Sequence, residues 1–479
     1  MRLVLAILIA LVGIADARPG GGDSYSGGGG HGGSGGGSSD SGVIFELLYW
    51  TIRLCIYYPQ IGLPILAVLI GGIAYSWYRQ HQNKDWDSGP PVELERAIDL
   101  DELRVVDPDF SQVVFEDFAF RLFSTAQRAR SSAEQLGTVA PYVSEAARGA
   151  LAVREPQGKA VEQVVVGAMR VARIDIPPAA SDTARVRIAV EYEANVATAA
   201  HTYYSVESWL FARDAARRSK PPGATKTFPC PNCGAPWQAS ATGTQRCSYC
   251  NEIVDNGRFD WVVESVSLAS IDERLPTLTT EVPERGTDLP TYRQDGADEH
   301  FASIGVDREA LAARVDLIYR ELARAWSTNE LAPIRGFVSD ALYDYLEYWV
   351  DAYKRQGLRN AMVDMRITQV ELAKVVRDRW YDAVTFRIWG TGKDFVVESA
   401  TGKVVRGSKH RERPYSEYWT LIRSAGRTAA PKTDRSCGNC GAPLTVTMAG
   451  ACSHCGAHVT AGEFDWVLSK VEQDDSYRG

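Results

Sequence analysis

Eight of the nine cysteines fall into four Cys-x-x-Cys knuckles, and the knuckles come in two pairs. In the first pair Cys230 and Cys233 are followed, after thirteen residues, by Cys247 and Cys250. In the second, Cys437 and Cys440 are followed, after eleven residues, by Cys452 and Cys455. Four thiolates at this spacing can surround one Zn²⁺ tetrahedrally at about 2.3 Å, leaving no open position for water or substrate. Such a centre is structural. Disulfides or a thioredoxin-like redox pair are the competing chemistries, but a redox pair needs one knuckle per domain and here each has a partner at zinc-ribbon spacing. Two structural Zn²⁺ ions are therefore expected. His454 and His458 are surplus to a complete sulfur set and read as loop histidines.

Little else in the chain has the pattern of catalysis. The seven histidines are scattered, no His-Glu-x-x-His occurs, and Gly-x-Ser-x-Gly appears once, at 32–36 inside a Gly/Ser run that carries no catalytic context. Gly392-Lys393 lacks the upstream glycine and following Ser/Thr of a phosphate loop, since Arg387 and Asp394 stand there, so it reads as a polar strand turn. A non-enzymatic chain is expected.

The elements that hold the knuckles are themselves repeated. Both copies continue Cys-Gly-Ala-Pro after the first knuckle, and both end in a Phe-Asp-Trp-Val run at Phe259 and Phe464. Upstream, Glu207-Ser208-Trp209 through Arg213 matches Glu417-Tyr418-Trp419 through Arg423. A repeat of this length points to a duplicated domain. In the first copy Phe110, Val114, Phe115, Phe118 and Leu122 form a helical stripe, and Pro141 opens a shorter helix. Residues 164–176 and 184–194 alternate as strands, with further strands at 209–211 and 259–266. In the second copy Leu311, Val315, Ile318, Leu322 and Trp326 make one helical face. Ser339 caps a second helix that ends at Gly357, and strands follow at 362–375, 381–389, 417–423 and 464–471. The expected fold class is α+β: a helix pair on a curved antiparallel sheet, twice, with a zinc ribbon in the terminal hairpin. Each metal would close a hairpin of roughly 35 to 45 residues and offset part of the loop entropy.

Length and 45% hydrophobic content suit two or three domains, and a net charge of −8 argues against a general nucleic-acid binder. At the N-terminus, residues 1–17 have the charge, apolar run and Ala-x-Ala site of a signal peptide. A Gly/Ser spacer (18–42), an interfacial segment (43–60) and an uncharged transmembrane helix (61–78) follow. Arg79 and Lys84 mark the far end as cytoplasmic, as do eight reduced thiols. The expected boundaries are linkers at 79–107 and 269–300, and domains at 108–268 and 301–473 with ribbons at 228–255 and 435–460.

The helix 311–326, the helix 339–355 with Gly357-Leu358, and the strands Glu417–Arg423 and Phe464–Leu468 resemble the C-terminal domain of the mitochondrial import-motor adaptor Tim44 and its bacterial relatives. The resemblance covers about 300–471, and 108–266 more weakly. It implies a cystatin-like or nuclear-transport-factor-two-like fold with an apolar pocket between helix and sheet. It also implies a membrane-associated, non-catalytic role in binding protein or lipid. The ribbons and the anchor are additions to the family pattern, and the family's chaperone-recruiting region has no counterpart here. Tyr343, Tyr345, Tyr348, Trp349 and Tyr353 are the candidate partner-binding face. Arg213, Arg217, Arg218, Arg406, Lys409 and Arg411 are candidates for anionic lipid headgroups. The expectation is an inner-membrane, single-pass adaptor with cytoplasmic domains and a protein partner; the alternative is a lipid or small-ligand carrier using the pocket.

Overall fold

The computed structural model describes residues 57–60, 64, 98, 100–177, 184–222, 228–238, 245–273, 290–447, 450–474, 477 and 479. The signal peptide, the spacer, most of the interfacial segment and nearly all of the transmembrane segment expected above lie outside these. Among the described residues no helix is long and apolar enough to cross a membrane. Residues 91–282 and 286–479 belong to one compact unit, treated below as two modules.

The first module opens with α1 (Asp101–Val106) and α2 (Gln112–Ala129). Ser111 caps α2 by accepting from the Val114 amide at 3.2 Å, and Phe115, Ala119, Leu122, Phe123 and Ala126 form its buried face. After α3 (Ala133–Leu136) and a 3-10 turn comes α4 (Glu145–Ala152), capped by Ser144. The sheet follows as β1 (Gln163–Asp175), β2 (Arg185–Ala197), β3 (Thr202–Asp214) and β4 (Val262–Glu273), in that order and wholly antiparallel. β4 begins later and runs five residues past the boundary expected at 268, because its outer half alternates too little to read as a strand.

The second module has α5 (Ala297–Ser303), α6 (Arg308–Thr328) and α7 (Asp340–Arg355). The expected α6 stripe is the buried one, from Leu311 to Trp326, and Ser339 caps α7 through the Leu342 amide. The sheet runs β5 (Leu358–Arg377), β6 (Tyr381–Glu398), β8 (Arg413–Ser424), β9 (Val467–Gln473), with the short β7 (Val404–Gly407) pairing β6. α5 and β7 escaped the sequence reading because neither is long enough to show a period.

Each sheet is tied to its helix layer by the same device. Val143 bridges Val263 and Val338 bridges Leu468, both parallel, just before the caps Ser144 and Ser339. Those serines also donate their amides to the carbonyls of Val263 and Leu468, at 3.0 and 2.9 Å.

The modules also pack on each other. Val113 and Val114 of α2 meet Tyr381, Ala383, Ile422 and Val467, and Val165 of β1 joins the core that α7 closes. The β5–β6 turn presents Trp380, whose indole donates to the Asp109 carbonyl at 3.2 Å, and Arg379, which pairs with the Asp109 carboxylate. Lys470 and Glu116 add an ion pair at 2.5 Å.

Candidate metal centres

All four knuckles fold alike. In each, the fourth residue after the first cysteine returns its amide to that cysteine's carbonyl: Gly234 to Cys230, Asn251 to Cys247, Gly441 to Cys437 and Gly456 to Cys452, at 2.8–2.9 Å. Each of these four residues sits at φ between 60 and 74°, which is why three are glycine and the fourth asparagine. The turns throw both sulfurs of a knuckle to the same side.

The pairs of knuckles converge. The Sγ atoms of Cys230, Cys233, Cys247 and Cys250 lie within 4.8 Å of one another, as do those of Cys437, Cys440, Cys452 and Cys455. Individual separations are 3.8 Å (Cys230–Cys250 and Cys233–Cys247) and 4.0 Å (Cys437–Cys455). A tetrahedron with metal–sulfur bonds of about 2.3 Å has edges of about 3.8 Å, whereas a disulfide brings sulfurs to about 2.05 Å. The donor set therefore fits a four-sulfur metal ion and not a disulfide. No histidine belongs to either set: His454 is exposed, and His458 Nε2 faces Asp340 Oδ2 at 3.8 Å.

The sulfurs are electrostatically uneven. Burial pushes the Cys230 thiol up to about 12. The Asn232 side chain, followed by the Glu252 amide, brings Cys250 down to about 7. Asn439, whose amide nitrogen is 3.4 Å from Cys455 Sγ, and then the Ala457 amide bring Cys455 to about 6. Each cluster thus has one sulfur shifted toward the thiolate, the form a metal binds.

The ribbons are joints as well as cysteine clusters. Each leaves one strand and returns to its neighbour, β3 to β4 and β8 to β9. Gly257 and Gly462 make the return: their carbonyls accept from Asp214 and Ser424 at 2.9 and 2.8 Å, and at φ near 70° a Cβ would press on the strand opposite. The first ribbon also reaches the helix layer. Trp237 Nε1 donates to Gly137 O at 2.9 Å and Tyr142 Oη to Pro229 O at 2.8 Å, with burial holding the Tyr142 phenol well above its ordinary pKa.

Two buried arginines complete the joints. Arg213 pairs with Asp107 at 2.7 Å and lies over the Trp261 ring, 4.5 Å from its centroid. Arg423 pairs with Asp382 at 3.1 Å and lies over Trp466 at 4.6 Å. In the second joint Arg314 of α6 also donates to the Trp466 carbonyl at 3.0 and 3.1 Å. Burial lowers the Arg314 pKa and raises that of its neighbour Asp465.

These contacts correct two expectations. Arg213 and Arg406 are 2% exposed and cannot reach a headgroup; Arg217, Arg218, Lys409 and Arg411 are exposed. The aromatic residues of α7 do not form a free face, because Tyr343, Tyr348, Trp349 and Tyr353 are buried and Tyr345 is half-buried. Helical periodicity showed one apolar side but not that β1 of the first module helps to cover it. The space between α6, α7 and the second sheet is filled by Trp326, Tyr353, Phe386 and Trp419. A shallow cleft in the first module, lined in part by Phe115, Ala119, Met169 and Val190, encloses about 10 Å³. Asp107, Asp382 and Arg314 were missed by sequence reasoning. The Trp-x-x-x-Arg spacing at 209–213 and 419–423 was their only signal.

A helix layer on an antiparallel sheet, with a four-cysteine centre in the last hairpin, defines the class. Residues 302–432 match the family model described as Tim44-like domain, and this stretch, from α5 to just short of Cys437, is a Tim44-like domain. The second cysteine cluster, β9 and the whole first module lie outside the match. No curated protein matches the chain.

Proposed function

We propose that the chain is a membrane-anchored, non-enzymatic adaptor, built from two copies of a Tim44-like module, each stabilised by one structural Zn²⁺. Its modules face the cytoplasm and hold a protein partner at the inner membrane. The observation that carries the reading is a Tim44-like domain whose helix–sheet interior is filled by its own side chains. A carrier needs a pocket of about 300–1,000 Å³, and the cleft of the first module encloses about 10 Å³. Four cysteine sulfurs per centre leave a metal no vacant position, which favours structure over catalysis. Residues 61–78 supply the anchor, and the exposed Arg217, Arg218, Lys409 and Arg411 are left to meet anionic lipid.

Native mass spectrometry of the protein, solubilised from its own membranes, tests this. Two zinc ions and a stoichiometric second polypeptide are expected. A bound phospholipid or metabolite with no second polypeptide would overturn the adaptor in favour of a carrier.

A further inference from the structure

Each cluster has an inner and an outer side. Cys230 and Cys247 are 2% exposed, and Cys437 and Cys452 are at 0% and 1%. In every knuckle the first cysteine is buried against the ribbon's apolar residues and the second faces out. Cys233, Cys440 and Cys455 are exposed, but Cys250 is only half-exposed. Trp237 and Phe259 pack against the first cluster together with Cys250. In the second cluster Leu444, Val446 and Phe464 pack on the buried sulfurs, and both outer sulfurs stay open.

A metal holds its sulfur ligands as thiolates, and solvent access and a nearby second thiol make such a cysteine oxidisable. The outer sulfurs reach solvent, and every sulfur has three others within 4.8 Å. We propose that the outer cysteines are an oxidation site for hydroperoxides, and that Cys440 and Cys455 of the second cluster react before any sulfur of the first. The inference rests on the metal reading above.

The chemistry balances without a further cofactor. An outer thiolate attacks the distal oxygen of the hydroperoxide: an S–O bond forms, the O–O bond breaks, and the alkoxide or hydroxide takes a proton from water. A neighbouring thiolate then attacks that sulfur: an S–S bond forms, the S–O bond breaks and hydroxide leaves. Two thiolates have lost two electrons to one hydroperoxide. The metal keeps two of its four ligands and is released, and a dithiol reductant reverses the step.

The test uses the full chain, reduced and then treated with hydrogen peroxide. Released metal is followed with a chromogenic chelator, and sulfenic acids are trapped with dimedone and mapped by mass spectrometry. The expected result is loss of one of two metal ions in a first phase, with adducts on Cys440 or Cys455 and then a disulfide inside the second cluster. Retention of both ions under peroxide that oxidises a free thiol would overturn the proposal, as would first adducts on the first cluster or on Cys437 and Cys452. The adduct order is read whether or not metal is present. A metal-free preparation therefore breaks the zinc reading alone and leaves the order of sulfur oxidation measured.

Discussion

Trp237 of the first ribbon hands its indole N–H to the Gly137 carbonyl, a polar anchor between ribbon and helix layer. The second ribbon has no tryptophan there. It lays Leu444 and Val446 on the backbone at Gly336, and Thr460 Oγ1 donates to Asp340 Oδ1 at 2.8 Å. Yet the glycine returns and the arginine–tryptophan stacks agree residue for residue, and the knuckle turns differ in Asn251 against Gly456. The interiors diverge further. Glu207 gathers Gln127, Arg154 and Trp209 into a buried polar knot, whereas Glu417 receives Trp419 beside a core of aromatic rings. The joint between ribbon, sheet edge and helices admits few solutions because backbone groups are satisfied there one by one. The interior needs only volume and pairing, and many side chains supply those.

The largest way to break this comparison is to remove one metal. Changing Cys437 and Cys440 to Ser should take metal from two to one per chain by elemental analysis. It should also lower Tm more than any single substitution below, since structural zinc sites contribute on the order of 10 kcal/mol of binding. The same pair of changes at Cys230 and Cys233 should do no less.

Next come the buried ion pairs, which should separate the joints. Arg423→Met removes the hydrogen bond to the buried Asp382 Oδ2, leaving the looser Arg377 ion pair at 3.4 Å on Oδ1, and should cost about 3 kcal/mol by urea denaturation. Arg213→Met should cost about 1–2 kcal/mol less, because Asp107 keeps the Ser219 amide and hydroxyl at 2.9 and 2.7 Å. Adding Asp382→Leu to Arg423→Met should recover most of the loss, and a double variant no better than the single one would show that the pair is not the cause.

Trp380→Ala tests whether the modules melt as one body. A half-buried tryptophan at an interface should cost about 2–3 kcal/mol, and calorimetry should resolve two transitions where the parent shows one. Smallest are the caps: Ser144→Ala and Ser339→Ala should each cost about 1 kcal/mol, and equally, if the two strand-to-helix ties are equivalent.

Much of the joint was legible in sequence and little of what surrounds it. The cysteines were readable because a metal needs four sulfurs, and Ser339 because a cap needs a hydroxyl ahead of an apolar stripe. The burial of Arg213 was not. One arginine beside Arg217, Arg218 and Lys220 looks like a charged surface, and its partner Asp107 lies 106 residues earlier. The α7 aromatics misled for the same reason. A stripe shows that a face is covered, and only the tertiary fold shows by what.

The contact between modules carries a consequence in time. Glu116 waits for Lys470, 354 residues further along the chain. At about 5–20 residues per second of synthesis, that wait is on the order of 20–70 s. For much of it Val113, Val114 and Val165 of β1 lack their neighbours from the second module. For that interval the growing chain carries apolar side chains that the second module has yet to cover.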